Sequence, residues 1–189
     1  GVRYSRFDRP LIDRARAEVS ATMKQLAAGL LESSNPRPEQ VDQPHAALDH
    51  RPDVLVASYH GMPKRYLMEG DPYHCQCAKT SRLLRERLGW DKDSIDTTFQ
   101  SVFGPEEWLK PYTVEHVVEL AKAGKRNIAV ISPAFSADCI ETLEEINGEI
   151  REAFEHAGGE RFTYIPCLND DTAHIEALTE IVVRNLAGW

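Results

Sequence analysis

The chain has 189 residues, 42% of them hydrophobic, and a formal net charge of −8 at pH 7. That length suffices for one sizeable domain, or for a domain plus an appendage. The acidic balance argues against nucleic-acid binding, which needs a basic surface, and leaves a cationic substrate or a metal ion open.

No apolar run approaches the roughly 18 residues of a transmembrane helix. The opening Gly-Val-Arg-Tyr-Ser-Arg-Phe-Asp lacks the apolar core of a secretory signal. Asp8 to Glu32 then carries Leu11, Ile12, Ala15, Val19, Met23, Leu26, Leu30 and Leu31 at mostly helical spacing. Pro10 suits the first turn, where a missing N–H loses no intrahelical partner. Residues 1–32 are therefore expected to form an N-terminal helical segment. Residues 33–52 read as a linker, with Ser-Ser-Asn-Pro-Arg-Pro-Glu-Gln followed by Pro44 and Pro52.

From Asp53 the rhythm is regular, and residues 53–189 are expected to form one α/β domain. Strands are predicted over Val54–Tyr59, Thr97–Phe103, Asn127–Ser132 and Phe162–Ile165. Helices are predicted over Pro72–Leu88, Val114–Ala123, Asp138–Ala157 and Thr172–Ala187. Strands alternating with helices predict a parallel sheet with helices on both faces.

In such sheets ligands bind outside the carboxyl ends of the strands. The first strand ends Ser58-Tyr59-His60-Gly61, placing an imidazole that titrates near neutrality or binds a metal. Gly61 is expected to allow unusual dihedrals and Pro63 to stiffen the exit. The third strand end leads into a helix whose buried stripe is Ile140, Leu143, Ile146, Ile150 and Phe154. Asp138 is read as its cap. Glu141, Glu145 and Glu149 fall at i, i+4 and i+8; a solvated acidic face is the common reason for such a ladder. Glu141, one turn in, also lies close to the strand end. A histidine and a carboxylate there suit a divalent metal or a pair of proton acceptors, and the residues alone leave both open.

Cys75, Cys77, Cys139 and Cys167 are too sparse for a disulfide scaffold and are read as free thiols in a reducing cytosol. The Cys75-x-Cys77 pair could ligate a soft metal but lacks a second close-spaced pair.

Several runs together resemble one family: Ser58-Tyr59-His60-Gly61-Met62-Pro63, Gly70-Asp71-Pro72-Tyr73, Phe99-Gln100-Ser101, Trp108-Leu109-Lys110-Pro111 and Phe135-Ser136-Ala137-Asp138-Cys139-Ile140-Glu141-Thr142-Leu143. Their order and spacing resemble the ferrochelatases, and Tyr164-Ile165-Pro166-Cys167-Leu168-Asn169 looks like the proteobacterial members. The resemblance runs from about Asp53 to Trp189 and implies a Rossmann-like, chelatase-type half. Because the family's chains are longer, the chain is expected to correspond to their C-terminal part.

The resemblance implies a lyase of haem biosynthesis that inserts ferrous iron into protoporphyrin IX and releases two protons. Iron is then a substrate, no cofactor is required, and no [2Fe-2S] cluster is expected. It implies that His60 and Glu141 face each other across the macrocycle cleft, as metal ligand or proton acceptor. It further implies porphyrin contacts at Tyr59, Trp108, Phe135 and Asp138, and a path for iron or protons along Glu145 and Glu149. Bending a macrocycle requires a rigid, close-walled cleft. Cys139 stands where animal members carry a second histidine. Two alternatives are kept: a cobalt or nickel chelatase of another tetrapyrrole, and a non-catalytic metal- or tetrapyrrole-binding module. The expected location is the cytoplasm, with peripheral contact to the inner membrane and the oligomeric state left open.

Overall fold

The computed structural model describes residue 48 and residues 50–186. The expected N-terminal helix and nearly all of the expected linker lie outside the described residues.

Four parallel strands form one sheet in the order β2-β1-β3-β4. They are β1 (Val54–His60), β2 (Ile95–Gln100), β3 (Asn127–Ile131) and β4 (Arg161–Ile165). A short helix α1 (Lys64–Met68) and a long helix α2 (Tyr73–Leu88) join β1 to β2. Helix α3 (Thr113–Lys122) joins β2 to β3. Between β3 and β4 runs α4, a π-helical stretch Glu141–Ile150 continued by an α-helical stretch Arg151–His156. Helix α5 (Thr172–Leu186) follows β4. This is the parallel α/β architecture that the alternating pattern predicts. Among the described residues no helix is long and apolar enough to cross a membrane.

Each strand sorts its side chains by alternation, and two apolar clusters result. Leu55, Ala57 and Tyr59 of β1 pack with Cys77 and Leu84 of α2. Val54 and Val56 pack on the opposite face with Val117 and Ala121 of α3 and with Ile146, Ile150 and Phe154 of α4. Leu55, Val56, Leu84, Val117, Ile146 and Phe154 are fully buried, which accounts for the β1, α2, α3 and α4 patterns being readable.

Successive connections leave β1 toward β2 on one side and return to β3 on the other. The order of the strands therefore reverses at β1, and in such sheets ligands bind at the carboxyl ends of the strands beside the reversal, here β1 and β3.

Most boundaries fall within a residue of expectation; β2, the start of α4 and one additional helix depart further, for identifiable reasons. Strand β2 spans Ile95–Gln100 rather than Thr97–Phe103. It stops because Ser101 adopts a left-handed φ of 59°, and its N–H is turned to the Glu145 carboxylate at 2.6 Å. The helix expected from Asp138 begins its regular stretch at Glu141 and does so with π-helical bonding. Helix α1 was not expected at all; it is only five residues long and none of them is buried, so it leaves no apolar stripe to read.

Candidate functional site

His60 closes β1, level with Gln100 of β2 in the parallel register. Alternation sends it to the same face as Val54, Val56 and Ser58, the face covered by α4. Its Nδ1 lies 2.7 Å from the Gly61 carbonyl oxygen. A carbonyl only accepts, so Nδ1 carries the hydrogen and donates it. In the tautomer this bond selects, the hydrogen sits on Nδ1 and the lone pair on Nε2. Tyr73 Oη donates to the His60 carbonyl at 2.8 Å, pinning the strand end from the α2 side. The His60 ring stands 6.4 Å from the Phe135 ring at an interplanar angle of 36°, so these two residues are brought together.

Glu141 opens the π-helical stretch. A hydrogen bond with the Cys139 thiol, helped by the residue's own backbone N–H and by His60, holds its carboxyl below the usual carboxylate range. Burial first, then the Glu141 partner, raises the Cys139 thiol. Cys139 keeps its proton and shares it with Glu141 as a hydrogen-bond donor. Thr142 and Leu143 N–H groups both donate to the Cys139 carbonyl, at 3.1 and 2.9 Å, which seats the first turn.

The remaining expected site residues are distributed differently. Tyr59 leaves β1 on the opposite face from His60, is 2% exposed, and its hydroxyl is bonded to Ser81 Oγ at 3.0 Å. Desolvation drives its phenol well above its ordinary range. It is a core residue turned away from the His60 side, because neighbours on a strand point to opposite sides. Trp108 is also buried and packs on Gly61 and Phe103, with rings 4.8 Å apart in the latter pair. Its indole N–H has no partner among the described residues.

Gly61 is not in the positive-φ region, contrary to the expected need for unusual dihedrals. It is required instead by space. A Cβ there would sit 2.7 Å from the Gln100 carbonyl oxygen and 2.9 Å from the Trp108 ring.

Asp138 does not cap α4 by a side-chain bond to helix N–H groups. Its Oδ1 accepts from Tyr164 Oη, from Thr142 Oγ1 at 3.1 Å and from Cys167 N at 3.2 Å. Its Oδ2 accepts from Asn169 Nδ2 at 2.8 Å, while Asn169 Oδ1 accepts from Asp138 N at 2.8 Å. Burial alone would raise this carboxyl, but the donors from Asn169, Tyr164 and Cys167 outweigh it and hold it low. Asp138 is thus a knot between the loop before α4 and the loop after β4, with its oxygens already engaged.

Glu145 is engaged too. Its carboxylate accepts from Ser101 N at 2.6 Å, Ser101 Oγ at 2.5 Å and Gln100 Nε2 at 3.3 Å. Glu149 is exposed. Gln100 and Ser101 leave little signal in the sequence beyond a polar pair closing an apolar strand.

Behind Phe135 lies a cavity of about 170 Å³ lined by Ser132, Ser136, Cys167 and His174 among others. Neither His60 nor Glu141 lines it. On α2, Cys75 is exposed and Cys77 buried, so the two thiols cannot converge on one ion. Desolvation pushes the Cys77 thiol up to about 12, which keeps it protonated. Among the described residues no group of three or more His, Cys, Asp or Glu side chains converges as a closed metal cage.

The fold is a parallel α/β sheet with an imidazole, His60, at the end of β1 and a carboxylate, Glu141, at the start of α4. Such a pair can hold a divalent ion loosely or accept protons. Comparison with known proteins agrees with that class and narrows it. The ferrochelatase family model matches residues 23–186, and the chain belongs to the ferrochelatase family. It is 83% identical over 149 residues to a ferrochelatase of Rhodobacter capsulatus, covering 79% of this chain and 42% of the relative. It is 60% identical over 144 residues to that of Allorhizobium ampelinum, covering 76% and 42%. With that of Marinobacter nauticus it shares 58% identity over 145 residues, covering 77% and 39%. The chain therefore spans about two-fifths of the length of the curated relatives it matches.

Proposed function

We propose that the chain carries the metal- and proton-handling half of a ferrochelatase site, which inserts ferrous iron into protoporphyrin IX in haem biosynthesis. The observation that supports this reading best is the pairing of His60 and Glu141. His60 closes β1, and Glu141 opens the helix whose Ile146, Ile150 and Phe154 pack on the same face of the sheet as Val54 and Val56.

Metal insertion requires two pyrrole N–H protons to leave as the ion arrives, so a base must stand beside the ring. The Nε2 atom of His60 has its lone pair directed by the Nδ1–H bond to Gly61 and can take a proton or an ion without rearrangement. Glu141, kept ionised by the Cys139 thiol, offers the negative charge that either a dication or a released proton needs. Two ligands hold an ion less firmly than a closed cage of four, which suits delivery rather than storage. Phe135, tilted beside His60, supplies apolar surface for a flat macrocycle. Glu149, in solvent on the same helix, would lie on the route of approach for iron or departure for protons. Glu145 would contribute to that route only through its field, since its oxygens are tied to Ser101.

Anaerobic addition of ferrous iron to the chain with protoporphyrin tests the reading through the porphyrin absorbance. Metalation is expected to fall by at least about a hundredfold in both His60→Ala and Glu141→Gln. Full activity in both variants would overturn the assignment. Porphyrin binding without metalation by the parent chain would instead favour a binding module.

A further inference from the structure

We infer that Gln100 is a positioning residue that sets the separation of His60 and Glu141, because its buried amide and backbone hold both arms of the site at once. The inference deepens the reading above and rests on it for the purpose of the pair.

Gln100 is the last residue of β2 and only 2% exposed. Its carbonyl oxygen accepts from Gly61 N at 2.7 Å, fixing the residue whose own carbonyl receives the His60 imidazole. Its side-chain Nε2 donates to the Glu141 carbonyl oxygen at 2.7 Å and more weakly to Glu145 Oε2 at 3.3 Å. Both of those partners only accept, so the amide has one possible orientation. Its Oε1 then faces Ser58 Oγ, which donates at 2.8 Å. Ser58 Oγ lies 2.8 Å from Thr113 Oγ1, which donates to Thr98 Oγ1 at 2.9 Å. Ser58, Thr98 and Thr113 are all essentially inaccessible.

A polar chain in that position is costly for stability alone, since each member must be desolvated and then fully partnered. An apolar side chain would fill the space between β1, β2 and α3. What it could not do is grip a carbonyl on the first π-helical turn. Shifting that turn by a fraction of an ångström moves the Glu141 carboxylate relative to the His60 Nε2 atom. Second-layer contacts of this kind commonly change metal affinity by roughly 10–100-fold.

The test compares the parent chain with Gln100→Met, which removes both donors, Gln100→Glu, which keeps an acceptor for Ser58 but turns a carboxylate toward Glu145, and Thr98→Val. The last breaks the far end of the same network without touching the site. Amide hydrogen exchange is followed by NMR, and zinc affinity by chelator competition with His60→Ala, Glu141→Gln and the double variant built in each background. If Gln100 positions the pair, exchange from Thr142 to Ile146 accelerates at least about tenfold in Gln100→Met beyond any global change, and Thr98→Val does not do this. The coupling between His60 and Glu141 in zinc affinity falls from about tenfold toward none. Gln100→Glu behaves like Gln100→Met.

The inference is overturned if Gln100→Met and Thr98→Val, matched for lost stability, exchange alike. It is equally overturned if the coupling survives in Gln100→Met. Zinc binding by the parent chain that ignores both His60 and Glu141 would sink the functional reading instead, while the exchange comparison still decides the role of Gln100.

Discussion

A strand alternates its side chains, so Tyr59 and His60 leave β1 in opposite directions and only His60 reaches the face that carries Glu141. That parity was available in the sequence, since Leu55 and Ala57 share Tyr59's side and are plainly core. The role of Gly61 was not available, because it depends on how closely Trp108 and the Gln100 carbonyl approach. Gly61→Ala should therefore overpack the strand end and cost about 1–3 kcal/mol, measured as a lower urea midpoint with an unchanged slope. An unchanged midpoint would mean the turn can open freely. Asp138 allows a pH test. Its folded carboxyl lies below the ordinary value, so the stability it contributes is present above the unfolded value near ~3.9 and is lost as pH falls through the folded one. Asp138→Asn should be less stable than the parent at pH 7, and the gap should shrink below about pH 4. A gap independent of pH would show that the charge on Asp138 is irrelevant to the knot.

At the scale of elements, the legible features were those that burial writes as periodicity. Helix α3 shows Val117 and Ala121 one turn apart, and β1 and β3 are nearly continuous apolar runs. Of the expected stripe, Ile146, Ile150 and Phe154 do form the inward face of α4, but Ile140 and Leu143 are exposed, because the first turn is bonded i to i+5 and regular helical spacing does not carry over to it. The first π-helical turn is held from outside by Gln100 on the Glu141 carbonyl and by Glu145 on Ser101, and such long-range contacts leave no local trace in the sequence. The end of β2 was misplaced for the same reason: Phe99-Gln100-Ser101-Val102-Phe103 alternates well enough, yet Ser101 turns left-handed to meet Glu145. Gly148, in contrast, answers to no such demand. A Cβ there would meet nothing closer than the Leu143 carbonyl oxygen at 3.9 Å, and the residue is not in the positive-φ region. Gly148→Ala should therefore stabilise α4 by up to about 1 kcal/mol, visible as a higher thermal midpoint. Destabilisation would indicate that the π-helical stretch needs the glycine's freedom in motion rather than in shape.

Over the whole molecule, the site is held by the same core that holds the fold. His60 ends the central strand β1, and Glu141 begins the helix whose Ile146, Ile150 and Phe154 fill the cluster beneath that strand. The pair can exist only while β1, β2 and α4 are packed together, so an ion that needs both residues binds the folded chain and not the unfolded one. Binding of that kind must raise stability by RT ln(1 + [L]/Kd), about 2.7 kcal/mol when free ion exceeds Kd a hundredfold. Urea unfolding with and without zinc should show that increment in the parent chain. It should be absent in His60→Ala and in Glu141→Gln, although neither half-exposed side chain supports the core. The same increment in both variants would place the ion elsewhere, with the exposed Cys75 thiol or the free acidic surface as the first places to look. A loss confined to one variant would divide the labour within the pair, assigning the ion to the residue whose removal abolishes it and the protons to the other.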